Sequence, residues 1–386
     1  MSRTAPATAP AIGSWDVDRD AHCLEDIERA AREVLPADVW DFVSGGSGGE
    51  VTLAANRAAL RRIALVPRVL RDVAHCDTQT SLFGVPHAMP AAVAPIAYHK
   101  LVHPEGELAG ARAAKAAGVP FTAGTLSSCT IESITAIGGT VWFQLYWLRD
   151  RKKTFELVER AEAAGCAALM PTVDVPWMGR RLRDVRNRFT LPPGVEAANL
   201  TWGSVSEAHR APVSGSAVAS HTGSAFNPSL TWSDIEELRR RTTLPIILKG
   251  VLAPQDARRA VDVGADGIVV SNHGGRQLDG AVAGVDVLAE VVTEVGGDCR
   301  VLLDSGIRSG TDVLRALALG ADGVLLGRPV LWGLAAAGER GVGRVLDLLA
   351  EELRDALGLA GCDGVRAARE IRTVRREPGP AAPAAG

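Results

Sequence analysis

The sequence predicts an α/β protein with a (β/α)8 barrel, and two observations carry that prediction. Eight short apolar runs of strand length recur between residues 91 and 326, and Ala-rich amphipathic segments separate many of them. Strands without polar alternation are typical of parallel sheets that are buried on both faces, and such strands are joined by right-handed helical crossovers. Eight strand–helix units are the number that closes a barrel.

The eight predicted strands share an apolar run that is followed by a polar or small-residue turn. They cover residues 91–96, 121–123, 141–145, 167–173, 245–248, 267–270, 301–303 and 323–326. Predicted helices between them include residues 105–117, 153–164, 254–263 and 310–318. The sequence Gly-Ala-Asp-Gly occurs at 264–267 and again at 320–323, each time before a strand, where the first glycine can end the preceding helix.

The segments outside the barrel are predicted to form a helical cap and two tails. Helical periodicity over 22–44, interrupted at Pro36, and again over 50–62 predicts an N-terminal cap. The Ala- and Pro-rich ends predict disordered tails at 1–15 and 374–386, which leave one domain at 16–373. Residues 180–233 show no clear period. We expect a long loop after strand 4, over the carboxyl-terminal mouth of the barrel.

The composition fits one large soluble domain. Apolar residues make up 47% of the 386 residues and the net charge is −3, which argues against a disordered chain and against a nucleic-acid-binding one. No apolar stretch approaches the length of about 18 residues that a membrane helix needs. The six cysteines show no C-x-x-C spacing, so we expect neither a zinc site nor a disulfide framework. Scattered free thiols favour a cytoplasmic location.

Polar or ionisable side chains follow most of the predicted strands. Tyr146, Asp174, Lys249, His273 and Asp304 each come at or just after the end of a different strand. The active sites of barrel enzymes lie at the carboxyl-terminal mouth, where all strand ends meet. The pattern therefore predicts a catalytic cluster at that mouth.

The turns after strands 7 and 8 predict a phosphate site. Gly306 and Gly327 leave backbone N–H groups open, and Arg308 and Arg328 add donors that suit a phosphate. The alternative for either arginine alone is a helix-capping role. The His-Pro-Glu segment at 103–105 fits a helix start better than a metal motif, so no metal is expected.

His273 is the candidate acid/base residue, because it lies between Asn272 and two glycines in a tight turn after a strand. Asp174 is suited to orient its imidazole, Arg181 and Arg276 to clamp a carboxylate, and Lys249 to stabilise negative charge. The alternative is a structural ion-pair network of Asp174, Arg181 and Lys249.

The segment 271–279, Ser-Asn-His-Gly-Gly-Arg-Gln-Leu-Asp, resembles the active-site signature of the FMN-dependent 2-hydroxy acid oxidase/dehydrogenase family. The resemblance extends from about residue 22 to 373. Seven further segments match in order, at 65–72, 103–106, 143–146, 172–181, 248–250, 304–312 and 327–329.

The resemblance implies that FMN is bound non-covalently and assigns roles by position. His273 is similar to the catalytic base, Asp174 to its carboxylate partner, Lys249 to the lysine near the flavin, and Tyr146 to the tyrosine that hydrogen-bonds the substrate. Arg181 and Arg276 are similar to the carboxylate clamp. The positions similar to flavin-binding ones are Pro95, Ile96, Ala97, Gly124, Thr125, Gln144, Thr172, Lys249, Ser271, Asp304, Ser305, Gly306, Arg308, Gly327 and Arg328.

Segments 42–48, 142–150 and 173–184 resemble in particular the family members that oxidise 4-hydroxymandelate. The resemblance then implies oxidation of (S)-4-hydroxymandelate, or mandelate, to the 2-oxo acid, with O2 reduced to H2O2. It also implies a homotetramer or larger oligomer and a place in 4-hydroxyphenylglycine supply for peptide antibiotics.

Two positions depart from the wider family. Phe42 stands where many members have a tyrosine that hydrogen-bonds the substrate, a loss of about 1 kcal/mol of hydrogen bonding. Leu126 stands where glycolate oxidase has a tryptophan. Both changes favour an aryl substrate, with Phe42 as a substrate-binding residue.

Three alternatives stay open at this stage. The same flavoenzyme could pass electrons to a quinone or carrier, or act on lactate or glycolate. A barrel isomerase or aldolase could use the phosphate site for a phosphorylated substrate, and it would lack a yellow chromophore. A non-enzymatic binding protein is disfavoured by the ionisable cluster.

Overall fold

The computed structural model describes residues 15–200 and 216–377, and within them an eight-stranded parallel barrel is surrounded by helices. The strands are β1 (Ile63–Val66), β2 (Thr80–Leu82), β3 (Val85–His87), β4 (Ala91–Val93), β5 (Phe121–Gly124), β6 (Val141–Leu145), β7 (Ala168–Pro171), β8 (Ile247–Val251), β9 (Gly267–Val270), β10 (Arg300–Leu303), β11 (Gly323–Leu326) and β12 (Arg372–Arg375).

The helices that precede β8 are α1 (Val17–Asp20), α2 (Leu24–Val34), α3 (Ala37–Ser44), α4 (Val51–Arg62), α5 (Glu107–Ala116), α6 (Ile131–Thr135), α7 (Arg151–Ala163), α8 (Leu182–Asn187), α9 (Ala217–Ala225) and α10 (Trp232–Arg241). Those that follow it are α11 (Pro254–Asp262), α12 (Gly284–Val295), α13 (Gly310–Ala318) and α14 (Arg328–Ala360). Short 3-10 turns cover His99–Leu101 and Ala367–Glu370.

The barrel strands are hydrogen-bonded in the order β7-β6-β5-β4-β11-β10-β9-β8. Parallel bridges Leu169–Ile246 and Thr172–Lys249 join β7 to β8, so the sheet closes on itself. Each of the eight predicted apolar runs overlaps one of these strands, and the (β/α)8 prediction is confirmed. All eight carboxyl ends therefore open on one mouth.

One strand ends later than predicted. The fifth barrel strand, β8, extends beyond the predicted run at 245–248 and its predicted end at Lys249, and it continues to Val251 across a register shift between Lys249 and Val251. Gly250 has φ +109° there, and a Cβ at this position would lie 2.5 Å from Asp174 Cγ. A glycine is required because both the backbone conformation and the space exclude a side chain. The bulge leaves Lys249 in the barrel mouth, with 4% of its surface exposed.

The barrel interior is filled by small and medium apolar side chains. They include Ala92, Met170, Ile247, Val269 and Leu302, all buried. The β2–β3 hairpin packs on this cluster through Leu82 and Phe83, and the Phe83 ring meets Trp142 edge-on at 5.5 Å.

The predicted loop at 180–233 is partly helical in the described residues. Helices α8 and α9 lie within it and α10 begins at its end, so that prediction was wrong for these stretches. Short helices of this kind carry little periodicity of their own. Residues 201–215 lie outside the described part of the chain.

The predicted boundaries at the two ends also shift. Val374 and Arg375, placed in the C-terminal tail, belong to β12 and pair with Ala64 and Ile63 of β1. Trp15 packs against the core. Residues 1–14 and 378–386 lie outside the described residues. Across the described ranges, no helix has the length and apolarity to span a membrane.

Helix α14 is broken at Ala337 and Gly338, which have non-helical backbone angles. The two halves approach so closely that a Cβ at Gly341 would overlap the carbonyl oxygen of Gly333. Gly343, two residues further on, faces open space where a Cβ would extend. The two glycines thus differ in what surrounds them, although both lie in the same helix.

Gly341→Ala should therefore destabilise the protein by about 1–3 kcal/mol, because the added methyl group forces the two halves apart. Gly343→Ala is the matched control, and it should leave stability equal or raise it by up to about 1 kcal/mol, since alanine is the better helix former. Urea unfolding followed by circular dichroism measures both. Equal midpoints for the two variants would contradict the close-contact explanation.

Candidate active site

The mouth of the barrel holds a cleft that encloses about 1020 Å³, counted out to its open edge. It is lined by residues from all eight barrel strands or the loops that follow them, and by helix α3. Arg276, Arg181, His273, Tyr146 and Lys249, which the sequence placed after four different strands, all line it. The barrel thus brings together groups that are up to 130 residues apart in the chain.

His273 and Asp174 form a hydrogen-bonded pair at the cleft, with His273 Nδ1 3.1 Å from Asp174 Oδ1. Asp174 itself does not line the cleft but lies behind the imidazole. Burial lowers the pKa of His273 below its ordinary value; Asp174 opposes this shift, while Lys249 and Arg181 add to it. The imidazole is therefore neutral at pH 7, and the Nδ1 contact leaves Nε2 available to accept a proton.

Lys249 and Asp304 make a buried ion pair, with Nζ 2.8 Å from Oδ2 and side chains 5% and 9% exposed. Lys249 Nζ also donates to Ser271 Oγ at 2.9 Å. Burial alone would lower the pKa of Lys249, but Asp304 and Asp174 outweigh it and the net shift is upward. Lys249 is thus a fixed positive charge in the floor of the cleft.

The structural ion-pair network of Asp174, Arg181 and Lys249, the alternative raised from the sequence, is present only in part. Lys249 pairs with Asp304, whereas Asp174 pairs with His273, and neither is within ion-pair distance of Arg181 among the described residues. The Nε of Arg181 is buried and has no hydrogen-bond partner there. Burial lowers the pKa of Arg181, and it lowers that of Arg276 well below the ordinary range, with Arg181 and Arg328 adding repulsion. Two such guanidinium groups provide strong positive potential for a carboxylate.

Arg276 is held in place by helix α3. Its Nη1 donates to the carbonyl oxygens of Phe42 and Gly45, at 2.9 and 2.8 Å, and its guanidinium lies 5.5 Å from the Phe42 ring centre. The Phe42 ring stacks on Phe189 at 4.5 Å. Phe42 therefore presents a fixed apolar surface beside the cation.

Part of the cleft lining is apolar. Leu126, Met178 and Val218 line the cleft, and the ring of Tyr146, which also lines it, stacks on Phe226 at 4.3 Å. Burial raises the pKa of the Tyr146 hydroxyl, which therefore stays protonated and able to donate a hydrogen bond.

Arg308 and Arg328 also line the cleft, after β10 and β11, and Arg328 lies beside Arg276, since both guanidinium groups donate to the carbonyl oxygen of Gly45. Burial and the charge of Arg328 lower the pKa of Arg308 to about 9; burial and the charge of Arg181 lower that of Arg328 to about 10. No carboxylate of the described residues is within 4.0 Å of either guanidinium. Arg328 donates instead to the carbonyls of Val43, Gly274 and Gly45, and Arg308 lies over the Trp332 ring at 4.6 Å.

A dianion is the natural complement to Arg308 and Arg328, because two half-buried cations without counter-ions are costly. Ser305 and Gly306 have φ of +75° and +106°, a turn that leaves its backbone open toward the cleft. The predicted phosphate site is thus compatible with the geometry.

The predicted flavin positions fall into two groups. Those that line the cleft are Pro95, Ile96, Ala97, Lys249, Asp304, Ser305, Gly306, Arg308, Gly327 and Arg328. Those that do not are Gly124, Thr125, Gln144, Thr172 and Ser271.

The second group has a structural explanation. Thr125 Oγ1 donates to Gln144 O at 2.8 Å and accepts from Tyr146 N at 2.9 Å, which ties β5 to β6. Gln144 Nε2 donates to Thr172 Oγ1 at 3.0 Å. These side chains are buried below the mouth, where they hold the strand ends in register.

Sequence reasoning missed several lining residues, among them Val43, Met178, Val218, Ile307 and Leu331. All are apolar, and an apolar residue at a strand end or in a loop gives no signal that separates it from core packing. Across residues 15–200 and 216–377 no cluster of three or more His, Cys, Asp or Glu could hold a metal ion.

Comparison with known proteins decides the family. The sequence pattern described as FMN-dependent dehydrogenase matches residues 31–373. The chain belongs to the FMN-dependent dehydrogenase family. Its members use FMN, so FMN is the cofactor and the reaction is the oxidation of a 2-hydroxy acid.

Three relatives show the breadth of the FMN-dependent dehydrogenase family. The chain is 61% identical over 350 residues to 4-hydroxymandelate oxidase of Amycolatopsis orientalis, covering 91% of this chain and 97% of that protein. It is 48% identical to an L-lactate oxidase of a Nostoc species, covering 88% and 94%. It is 45% identical to human 2-hydroxyacid oxidase 1, covering 92% and 97%.

A solved structure has the same fold. The crystal structure of mandelate oxidase with (S)-4-hydroxymandelic acid superposes with a TM-score of 0.90 at 59% identity, covering 92% of this chain and 99% of that one. The isomerase, aldolase and binding-protein alternatives are set aside by these likenesses.

Arg308→Leu should weaken FMN binding, because it removes one of the two cations of the predicted phosphate site. A hydrogen bond to a charged group contributes about 1.5–3 kcal/mol, so we expect the Kd for FMN to rise by roughly 10- to 100-fold. Quenching of FMN fluorescence during titration of the apoprotein measures this.

The exposed Arg354→Leu, which does not line the cleft, is the control and should bind FMN as the wild type does. The apoprotein of Arg308→Leu should unfold at no lower urea concentration than the wild type, because an unpaired buried charge has been removed. Unchanged FMN affinity in Arg308→Leu would show that the phosphate lies elsewhere.

Proposed function

We propose that this FMN-dependent enzyme oxidises (S)-4-hydroxymandelate, or mandelate, to the corresponding 2-oxo acid and passes the electrons to O2, with formation of H2O2. The observation that carries the proposal is an apolar wall of Phe42, Leu126, Met178 and Val218 in the same cleft as the unpaired guanidinium Nε of Arg181. Such a cleft complements a ligand with a carboxylate at one end and an aryl ring at the other. The 61% identity to a 4-hydroxymandelate oxidase supports the same substrate class.

In this proposal His273 is the catalytic base. Its imidazole is neutral and holds its Nδ1 proton toward Asp174, so Nε2 takes a proton from the 2-hydroxy acid. Asp174 then stabilises the imidazolium, because a carboxylate at 3.1 Å favours the charged ring. FMN supplies the two-electron acceptor for the oxidation.

Arg181 and Arg276 bind the substrate carboxylate, and Tyr146 donates a hydrogen bond to a substrate oxygen. An anion bound between the two buried cations relieves their repulsion, so the same contact orients the substrate and lowers the cost of holding the cations together. Lys249 stabilises negative charge that develops on the cofactor side, since Asp304 keeps it protonated and fixed.

Among the flavin-binding positions, Arg308, Arg328, Ser305, Gly306 and Gly327 are assigned to the phosphate end. Pro95, Ile96, Ala97, Lys249 and its ion-pair partner Asp304 are assigned to the ring end of the cleft. The remaining predicted positions, Gly124, Thr125, Gln144, Thr172 and Ser271, form the hydrogen-bonded layer under that end. The homo-oligomer, the cytoplasmic location and the place in 4-hydroxyphenylglycine biosynthesis stay predictions.

The absorbance spectrum of the purified protein tests the proposal. We expect a flavin spectrum that bleaches when (S)-4-hydroxymandelate is added without air and returns with H2O2 when air is readmitted. Glycolate and L-lactate are the comparison substrates, and they should reduce the flavin more slowly because they leave the apolar wall without a partner.

Each other result points to a specific revision. Bleaching that air does not reverse would indicate a dehydrogenase with another electron acceptor. Faster reduction by L-lactate than by the aryl substrate would reject the aryl assignment but keep the family reaction.

The pH dependence tests the His273–Asp174 pair. Because the pKa of His273 is lowered from 6.5, kcat/KM should still be on its plateau at pH 6.5. It should fall only at lower pH, where the imidazole becomes protonated. Asp174 raises the pKa of His273, so Asp174→Asn should move this acid limb to still lower pH. The same variant should lower kcat by roughly 10²- to 10⁴-fold, because the imidazolium loses its partner.

Steady-state rates between about pH 4.5 and 8, a range that brackets the ordinary histidine pKa, give both quantities. The exposed Glu33→Gln is the charge-matched control and should reproduce the wild-type profile. An acid limb that moves upward in Asp174→Asn would be incompatible with the assigned pair.

A further inference from the structure

The turn that carries His273 is tied to helix α4 by a reciprocal amide pair. Asn56 Nδ2 donates to Asn272 Oδ1 at 2.9 Å, and Asn272 Nδ2 donates to Asn56 Oδ1 at 2.7 Å. Both residues are buried, with 2% and 5% of their surfaces exposed. Two hydrogen bonds in opposite directions fix both the distance and the relative orientation of the two amides.

Asn272 is saturated by this pair and by its own turn. Its second amide hydrogen is donated to Val282 O at 3.0 Å, and its Oδ1 also accepts from Gly275 N at 3.0 Å. Loss of the Asn56 side chain would leave one donor and one acceptor position of Asn272 buried without partners. An amide in that state is free to rotate toward other partners, and the turn that depends on it would relax.

The backbone of this turn needs such support. His273 has φ +59°, and Gly274 and Gly275 follow with +66° and +74°. A non-glycine residue holds the left-handed region only where its surroundings impose it. Asn272, directly before His273, is the side chain that anchors this strained stretch to a rigid helix.

The same loop is attached to α4 at a second point. The carboxylate of Asp279 accepts from Gly49 N at 2.8 Å and Thr52 N at 2.9 Å, at the start of that helix. The loop from 272 to 279 therefore lies along α4 and is held at both ends. The Asp279 contact fixes the distal end of the loop, whereas the Asn56 contact holds the residue directly before His273.

We propose that Asn56 is a positioning residue for the oxidation, which acts through Asn272 to hold the imidazole of His273 against Asp174 and toward the substrate. Asn56 does not line the cleft, so it acts on the reacting atoms only through its neighbours. The inference rests on the role of His273 proposed above.

The test is rapid-mixing reduction of the FMN-loaded enzyme by (S)-4-hydroxymandelate without air, for the wild type and Asn56→Leu. The limiting reduction rate should fall by about 10- to 100-fold, the range that follows from a small misplacement of a reacting group. The apparent Kd for substrate should change much less, because Arg181 and Tyr146 lie outside this loop. Arg276 belongs to the loop, but the carbonyls of Phe42 and Gly45 hold its guanidinium independently of the amide pair. A purely structural role would not produce this separation of rate from affinity.

The pH profile is the second readout. The charged groups that face His273 are Asp174, Lys249 and Arg181, and only Asp174 favours the imidazolium. If the ring moves away from Asp174, the acid limb of the reduction rate should move to lower pH in Asn56→Leu.

Two further variants keep the proposal open to refutation. Ala58 lies in the same helix but is exposed, so Ala58→Gly lowers helix stability and leaves the amide pair in place. Asn56→Asp keeps the acceptor for Asn272 Nδ2 and loses the donor to Asn272 Oδ1. Its limiting reduction rate should lie between those of the wild type and Asn56→Leu, and it decides the question if Asn56→Leu does not fold.

An Asn56 variant that reduces FMN at the wild-type rate would overturn the proposal. So would a loss that Ala58→Gly reproduces at a matched unfolding temperature. Failure of the proposed function looks different: the wild type itself would not be reduced by the aryl substrate, and L-lactate would then be used for the same comparison. A His273→Gln variant with the wild-type reduction rate would refute the base assignment and the Asn56 role together.

Discussion

Four guanidinium groups at the mouth of the barrel, one buried and three half-buried, are the constraint around which this site is organised. Burial lowers the pKa of Arg181, Arg276, Arg308 and Arg328, and repulsion from a neighbouring arginine adds to this shift for the last three. No carboxylate of the described residues forms an ion pair with any of the four. An arrangement of this kind is tolerated only where other dipoles and ligands compensate. Backbone carbonyls of helix α3 and of the turn after β9 provide part of that compensation, and the rest is left for anionic ligands, which we propose to be the phosphate of FMN and the carboxylate of the substrate.

This constraint explains why the N-terminal helices belong to the active site although they precede the barrel. Helix α3 accepts hydrogen bonds from Arg276 and Arg328 through the carbonyls at its end, where the helix dipole is negative. The ring of Phe42, from the same helix, forms part of the apolar wall. Helix α4 receives the loop that carries His273, through Asn56 and through the backbone N–H groups that Asp279 caps. The helical cap thus stabilises the arginine side chains through α3 and fixes the position of the His273 loop through α4.

The Lys249–Asp304 ion pair and the His273–Asp174 hydrogen-bonded pair have different tasks in the site. Lys249 is held protonated because Asp304 is in direct contact with it in a buried setting. His273 is held neutral because burial and nearby cations outweigh the influence of Asp174. Lys249 is thereby always positively charged, whereas the neutral imidazole of His273 is able to accept a proton. Asp174 still contributes in the proposed reaction, because a carboxylate stabilises the imidazole most strongly once the ring has gained a proton.

The sequence alone predicted the barrel, because each strand is a local apolar run. It also predicted which polar residues follow each strand, and it indicated the family, because the signature at 271–279 is contiguous. Local pattern also identified His273, Lys249 and the four arginines as candidates. It could not separate the flavin candidates that line the cleft from Gln144, Thr172 and Thr125, which pair with one another beneath it. Nor could it find the bulge at Gly250, the short helices α8 and α9, the apolar wall around Met178 and Val218, or the amide pair between Asn56 and Asn272. Most of these features depend on contacts between residues far apart in the chain, 216 positions in the case of the amide pair, and only tertiary packing decides which of those contacts form.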